Sequence, residues 1–517
     1  MAGRTTSVAT LLTLAVVAPV HAQDPTEDSL SRPHLTLRDV IAMTLARSID
    51  VTHARLDVAA QQSALVQASA RFDPTLRASV NRTQTQTPLF GASTDPTNSR
   101  ATQLGYELGV DWLLPLGVTL SPAVSFSRTD VSTSSDIQNT GIASLTTALP
   151  LLRDRGGGSL RASLRAASVG LAATTSDAEN AQRVAVRQAI TAYWSYVAAR
   201  ERLAVLRDAQ VRATTLVEQT KTLIAADERP AVDSLTVLAH AVAAAAAQLN
   251  GENAVTTAEY ALAVAMGLPP AEVTIFAASV DSFPPLATAT AMAAWPSDSA
   301  LVVYALQRRS DLSAARYRRQ AIHYVVRGAA NDARTRFDVV LGLAYTGIGV
   351  GGNASRLLAP FNRDRGGFHF EVGLALDNPL GRSAARAEWQ QRLAQEEQAA
   401  LASSDLERTI TLAVRSSVQT LRRTSEQTRL SYEALQLFNA AVEGERQKYQ
   451  LGTATLFDVI LATDNLTSAR LAWINTQQQY ATAVAELLAQ LGAPLGESGC
   501  AGHIGVATVL STEICPP

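Results

Sequence analysis

The chain has 517 residues, and its 44 basic against 46 acidic side chains leave a formal charge of −2. That balance argues against nucleic acid or an anionic lipid surface as the principal partner. The length is large for one globular domain and ordinary for an elongated repeat protein.

Met1 to Gln23 carries Arg4 as a positive flank, an apolar run from Val8 to Val20 and a small-residue site ending Val20-His21-Ala22. This pattern predicts a secretory signal peptide over residues 1–22, followed by a linker over 23–34. No later stretch reaches eighteen apolar residues, so a membrane crossing would have to be a β-barrel. The two cysteines, Cys500 and Cys515, stand in a C-terminal tail over 495–517. In an exported protein they either close one disulfide or remain two free thiols in the tail.

The rest divides into two repeats, 35–285 and 286–494. Arg47-Ser48-Ile49-Asp50 aligns with Arg308-Arg309-Ser310-Asp311 at an offset of 261. Ala185-Val186-Arg187 aligns with Ala413-Val414-Arg415 at 228, and Gly267-Leu268-Pro269 with Gly492-Ala493-Pro494 at 225. Stacked equivalent units leave such a trace. The fall from 261 to 228 predicts about thirty extra residues in the first repeat, between its first helix and its long ones.

Those extra residues lie among strand patterns. Between Gln103 and Leu116, Tyr106, Leu108, Val110, Trp112 and Leu114 alternate with Gly105, Glu107, Gly109 and Asp111. After Gly117 the alternation resumes with Val118, Leu120, Pro122, Val124 and Phe126. Period-two writing of this kind is what a lipid-facing barrel strand requires. The segment 105–127 therefore reads as an added barrel hairpin or as a flap against a barrel. Further strands are expected at Leu76 to Gln84, Ile142 to Leu149, Phe337 to Thr346 and Phe368 to Leu376, so that strands fall at about 75–150 and 337–377. Thr85 to Arg100 and Gly347 to Gly367 read as long loops. Four to six strands are too few to close a barrel alone, since the narrowest takes about eight, so strands must be pooled between chains.

Long helices follow each strand group. The first, from Leu160 to about Ala226, turns at Asp227-Glu228-Arg229-Pro230, where Pro230 can open the returning helix. The second, from about Ser383 to Tyr449, would be about 100 Å long; its tip falls near 451–455, and Gly452 marks the reversal. In the last helix Leu466, Ala469, Trp473, Thr476, Tyr480, Val484, Leu487 and Leu491 form a narrow coiled-coil seam, with Gln477, Gln478 and Gln479 mostly off it. Thr455-x-x-Asp458 is a capping-box pattern, and Asp464 carries the same charge two turns further on.

A scan for chemistry finds no His or Cys at metal-ligand spacing and no phosphate-binding loop or nucleophile elbow. No enzyme, metal or cofactor reading has residues to name.

The motif Tyr449-x-x-Gly452, followed by Asp458-Val459-Ile460-x-Ala462, resembles the signature of the TolC-like outer-membrane efflux channels. The resemblance implies an α plus transmembrane β-barrel fold: a homotrimer of two-repeat chains sharing one barrel in the cell outer membrane and one helical tunnel in the periplasm. It implies an exit duct for a tripartite efflux or type I secretion system, set among outer-membrane lipids and working with a periplasmic adaptor and an inner-membrane pump. On this resemblance Asp458 lines the pore constriction, and Leu451, Gly452 and Thr453 form the adaptor-docking tip. Leu461 and Ala454 stand where a second acidic ring and a basic gating residue can occur. A periplasmic coiled-coil scaffold without a pore is the alternative; it leaves the strands unused.

Overall fold

The computed structural model describes residues 35–89, 97–132, 136–227, 230–270, 281–286, 296–352, 366–381 and 383–493. The signal peptide, the linker over 23–34, Glu228, Arg229 and the tail with Cys500 and Cys515 lie outside them.

The first repeat runs α1 (Leu37–Arg47), α2 (Ile49–Ser69), β1 (Thr75–Leu89), β2 (Thr97–Leu113), β3 (Thr119–Val131), β4 (Gln138–Pro150), α3 (Gly158–Ala225) and α4 (Asp233–Met266). The second runs α5 (Asp298–Arg308), α6 (Ser310–Asp332), β5 (Arg336–Val350), β6 (Gly366–Asp377), α7 (Ser383–Gln450) and α8 (Leu456–Leu491). The helix pairs α1–α2 and α5–α6 break at Ser48 and Arg309, extended residues 261 positions apart that end one helix and precede the next.

The long hairpins repeat without an insertion or deletion. Both α3 and α7 have 68 residues, and 383 less 158 is 225, the separation also of Gly267 and Gly492. Both glycines are left-handed, at φ +71° and +68°, and close α4 and α8. The offset of 228 read from the Ala-Val-Arg triplets is therefore a coincidence of composition. At 225 the buried Ala185, Ala189, Tyr193 and Tyr196 fall on the buried Ile410, Val414, Val418 and Leu421, so burial, not residue identity, carries the register. The insertion is then 261 less 225, or 36 residues. Since β1 and β5 begin 261 apart and β4 and β6 overlap at 225, the inserted element is the β2–β3 hairpin.

All six strands form one antiparallel sheet in the order β1-β2-β3-β4-β5-β6. The predicted loops are shorter than expected, because β1 continues through Pro88 paired with Asn98 and β5 through Val350 paired with Gln138. Polar Thr, Gln and Asn at those ends serve as strand residues beyond the apolar band, which composition reads as loop. The register places Leu76 beside Val110, Leu108 beside Val124, Leu145 beside Leu343 and Leu343 beside Phe370. One sheet face thus carries an apolar belt across all six strands, and Leu76, Val80, Phe368 and Phe370 in it are at least 70% exposed.

Four helices lie abreast along the whole column. Beside the sheet they are α2, α3, α6 and α7, with α3 against both α2 and α6 and α7 against α6; toward the far end they are α4, α3, α8 and α7. The predicted narrow seam of α8 is broader than the heptad reading. Leu466, Tyr480, Val484 and Leu487 pack with α7, while Ile474, Ala481 and Ala485 form a second stripe in the core around α3. Gln478 lies between these helices, accepting from Arg202 at 2.6 Å and donating to Ser195 at 3.0 Å. A helix flanked on two sides needs two buried stripes, and a period count on one helix cannot say how many neighbours it has.

Midway along the column the core holds Tyr193, Trp194, Leu262, Met266 and Ile190. Segment 281–286 clamps it: Tyr193 donates to Asp281 at 2.8 Å, the Leu37 amide donates to the same carboxylate at 2.7 Å, and Trp194 stacks on Phe283.

Candidate tip and membrane-facing surfaces

The α7–α8 tip is a Schellman reversal. The Gly452 amide donates to the Tyr449 carbonyl at 3.0 Å and the Thr453 amide to Lys448 at 2.9 Å, with Gly452 at φ +77°. A Cβ on Gly452 would meet nothing within 4 Å, so backbone conformation alone selects glycine there. Thr455, with φ −88° and ψ 162°, then caps α8. Its hydroxyl accepts from the Asp458 amide at 3.3 Å, and Asp458 Oδ2 accepts from the Thr455 amide at 2.8 Å and hydroxyl at 2.6 Å. The hydroxyl and backbone bonds from Thr455 hold the Asp458 carboxyl below the usual carboxylate range.

The motif residues divide between packing and exposure. Leu456 and Ile460 are buried with Val217 and Val237, and Tyr449 packs against that cluster. Ala462 supports Leu435, Val442 and Leu466. Leu451, Gly452, Thr453, Phe457 and Leu461 are exposed, Leu451 at 79%.

The α3–α4 tip is built differently. Asp227 stands 225 positions before Gly452 and adopts the same left-handed conformation at φ +58°, which Asp tolerates better than most side chains. Pro230 does not open α4: its carbonyl accepts from the Asp233 amide at 3.1 Å, and the helix starts three residues later behind Val232 with no side-chain cap. At this offset Pro230 falls where Thr455 stands, and without a hydroxyl it leaves the capping box of the other tip unformed. Asp233, the counterpart of Asp458, was missed by sequence reasoning; the offset of 225 and the first-turn acid are the signals that find it.

Between α3, α4, α7 and α8, just behind the tips, lies a groove of about 640 Å³ lined by Arg212, His240, Arg446, Tyr449, Asp464 and Thr467 among others. His240 on α4 meets Asp464 on α8 at 2.8 Å, so Asp464 is engaged in a pair rather than a spare charge. Burial, then the charges of Arg470 and Arg446, lower the Arg212 pKa. Among the described residues no group of three or more His, Cys, Asp or Glu side chains stands close enough to hold a metal ion.

At the other end, the polar face of the sheet carries Arg77 bound to Asp111 at 2.9 Å and Glu107 at 3.3 Å, with Ser121 donating to Asp111. The turn of the inserted hairpin is seated: a Cβ on Gly117, at φ +86°, would come 2.4 Å from the Asp154 carbonyl, and one on Gly157 would come 2.0 Å from that of Pro115. The β2–β3 segment is therefore an integral part of the sheet, and its flap alternative is set aside. No described helix is long and apolar enough to cross a membrane.

No family model and no curated protein matches the chain. Solved structures do. The outer-membrane channel OprN matches at 16% identity with a TM-score of 0.66, covering 93% of this chain and 99% of its own. The outer membrane protein VceC of Vibrio cholerae matches at 17% identity and 0.64, covering 89% and 96%. The open state of the MtrE outer-membrane channel of Neisseria gonorrhoeae matches at 15% and 0.63, covering 89% and 90%. The chain has the fold of these outer-membrane proteins.

Proposed function

We propose that this protein is a trimeric outer-membrane channel, the exit duct of a tripartite efflux or type I secretion system, passing solutes without chemistry of its own. The observation that carries this reading is the open sheet whose outward face bears an apolar belt, from Leu76, Val80 and Leu108 through Leu145 and Leu343 to Phe370 and Leu376, with these side chains exposed. It sits on a helical column about 100 Å long, since α3 and α7 have 68 residues each at about 1.5 Å per residue. Water does not tolerate such a face, and lipid requires it. Lipid in turn does not tolerate the unpaired edges of β1 and β6, which calls for further copies of the chain. The outer helices fit the same need: α4 exposes Leu235, Leu238 and Val242, and α7 exposes Leu412, Leu430 and Leu437.

In the trimer the far tips converge on the axis. Asp458 then forms a ring of three carboxylates at the constriction, favouring cations. Leu451, Gly452 and Thr453, exposed at the turn, offer small and apolar contacts to the helical tip of a periplasmic adaptor that links the duct to an inner-membrane pump.

The test is extraction and cross-linking. The protein should partition with outer membranes, require detergent, and give a cross-linked ladder ending at three. A pore-less periplasmic scaffold would instead release with the soluble periplasm, and that result would overturn the channel reading.

A further inference from the structure

The number of strands per chain fixes the width of the exit. We propose that β6 of each copy pairs with β1 of the next, so that three chains close a barrel of 18 strands as wide as the helical column beneath it. This inference rests on the channel reading and deepens it by assigning the surface on which copies join and the width of the exit.

Three observations carry it. The first is the sheet itself. β1 and β6 are the ends of the strand order, and with six antiparallel strands β6 runs opposite to β1. Edge-to-edge joining therefore continues the antiparallel ladder around the ring without a parallel seam. Both edges also carry the same face pattern: Leu76, Ala78 and Val80 on β1 share the outward face with Phe368, Phe370 and Val372 on β6, through the chain of paired residues that links them. A second copy thus extends the apolar belt, whereas any occupant with a polar face would break it.

The second observation is width. Helices pack about 8–10 Å apart, so four abreast span about 32–40 Å. Strands stand about 4.8 Å apart, and at a tilt of about 40° each covers about 6 Å of circumference, so six cover about 37 Å. The six-stranded sheet is therefore as wide as the four-helix layer it stands on. Without the inserted hairpin a chain would offer four strands and about 25 Å, and the barrel would have to narrow above the helices.

The third observation is that the inserted hairpin cannot be a loose addition. β1 pairs with β2 along the whole length of β1, β3 pairs with β4, and β1 and β4 are not neighbours. The hairpin's turn is locked against the β4–α3 junction by the close approaches at Gly117 and Gly157. Removing the hairpin from the wall would leave β1 and β4 to find a new pairing.

Eighteen strands give a barrel about 35 Å across between backbones, against about 24 Å for twelve. The membrane crossing is then no narrower than the tunnel.

Electron cryomicroscopy of the detergent-purified oligomer reads the answer directly. The expected result is a threefold particle with 18 strands around the barrel and a backbone diameter near 35 Å. A trimer with twelve strands in the wall and the 97–131 segment outside it would overturn this inference and leave the channel reading standing. A closed assembly of another copy number would overturn the strand count. A particle with no barrel would overturn both. Disulfide scanning supplies a second measurement: cysteines at Leu76, Ala78 or Val80 combined with cysteines at Phe370, Val372 or Leu374 should give a trimer-limited ladder for at least one combination. Trimers by mass in which no combination cross-links would overturn the β6–β1 joint.

Discussion

At Asp458 one carboxylate closes a helix cap and, on the proposed function, would also join a ring. Within the chain its Oδ2 closes the capping box with Thr455, which favours the charged form and lowers its pKa. Such a group stabilises the fold above its ordinary value near 3.8, and the contribution is lost as pH falls through the lower folded value. In a threefold ring the like charges work the other way and raise at least one of the three. Asp458→Asn should leave capping largely intact, because an amide oxygen still accepts, but should lower cation preference in planar bilayers under a salt gradient. Glu443→Gln, an exposed acid on α7, is the fit control; Asp464 is not, since it pairs with His240. Equal reversal potentials for wild type and Asp458→Asn would reduce Asp458 to a helix cap. The two tip turns make a second test. Gly452→Ala puts a Cβ on a left-handed residue and should cost about 1 kcal/mol, whereas Asp227→Gly should be neutral or mildly stabilising. Thermal melts of the two variants read the difference, and equal shifts would mean that Gly452 is held by something other than its φ.

The elements show where local pattern suffices. The tip of α7 and α8 was legible because a Schellman glycine, a capping Thr and a first-turn acid act within a few residues of one another. The other tip was less so: Pro230 suggested a helix start that Val232 takes instead, and only the repeat offset exposes Asp233. Strand faces were legible from period two, and accessibility should confirm them. A cysteine at Leu108 should resist a water-soluble maleimide in membranes, and one at Ser125, on the opposite face of the neighbouring strand, should react from the lumen. Equal labelling would mean that this hairpin has no lipid face. Gly109 is a poor probe site, since a Cβ there would stand 3.3 Å from that of Ala123. At the clamp, Tyr193→Phe removes the donor shared by Asp281 and the Leu35 carbonyl. The cost should be about 1–2 kcal/mol, seen as a lower melting temperature and earlier proteolysis around 281–286. An unchanged melt would show that the Leu37 amide and the Trp194–Phe283 stack hold the clamp without the tyrosine hydroxyl.

At the scale of the whole molecule, length, charge and periodicity determined that this is an elongated two-repeat protein of long helices and lipid-patterned strands, because each of those signals is local or recurs at a fixed spacing. They also pointed to shared strands, since fewer than about eight cannot close. Three matters were decided only by tertiary structure. That 225, already read from the glycines at 267 and 492, and not 228 is the offset of the long helices emerged from which faces are buried, a property of neighbours rather than of letters. The second stripe of α8 required knowing that α3 lies beside it as well as α7. The place of the 36 inserted residues as a hairpin inside the sheet depended on hydrogen bonds between strands far apart in the chain: β1 and β5 begin 261 positions apart, and nothing in their own residues states that two further strands stand between β1 and β4. Sequence period fixes the face a strand presents, but strand order is a contest among all possible edges, and only the assembled sheet shows which pairing buries the most backbone.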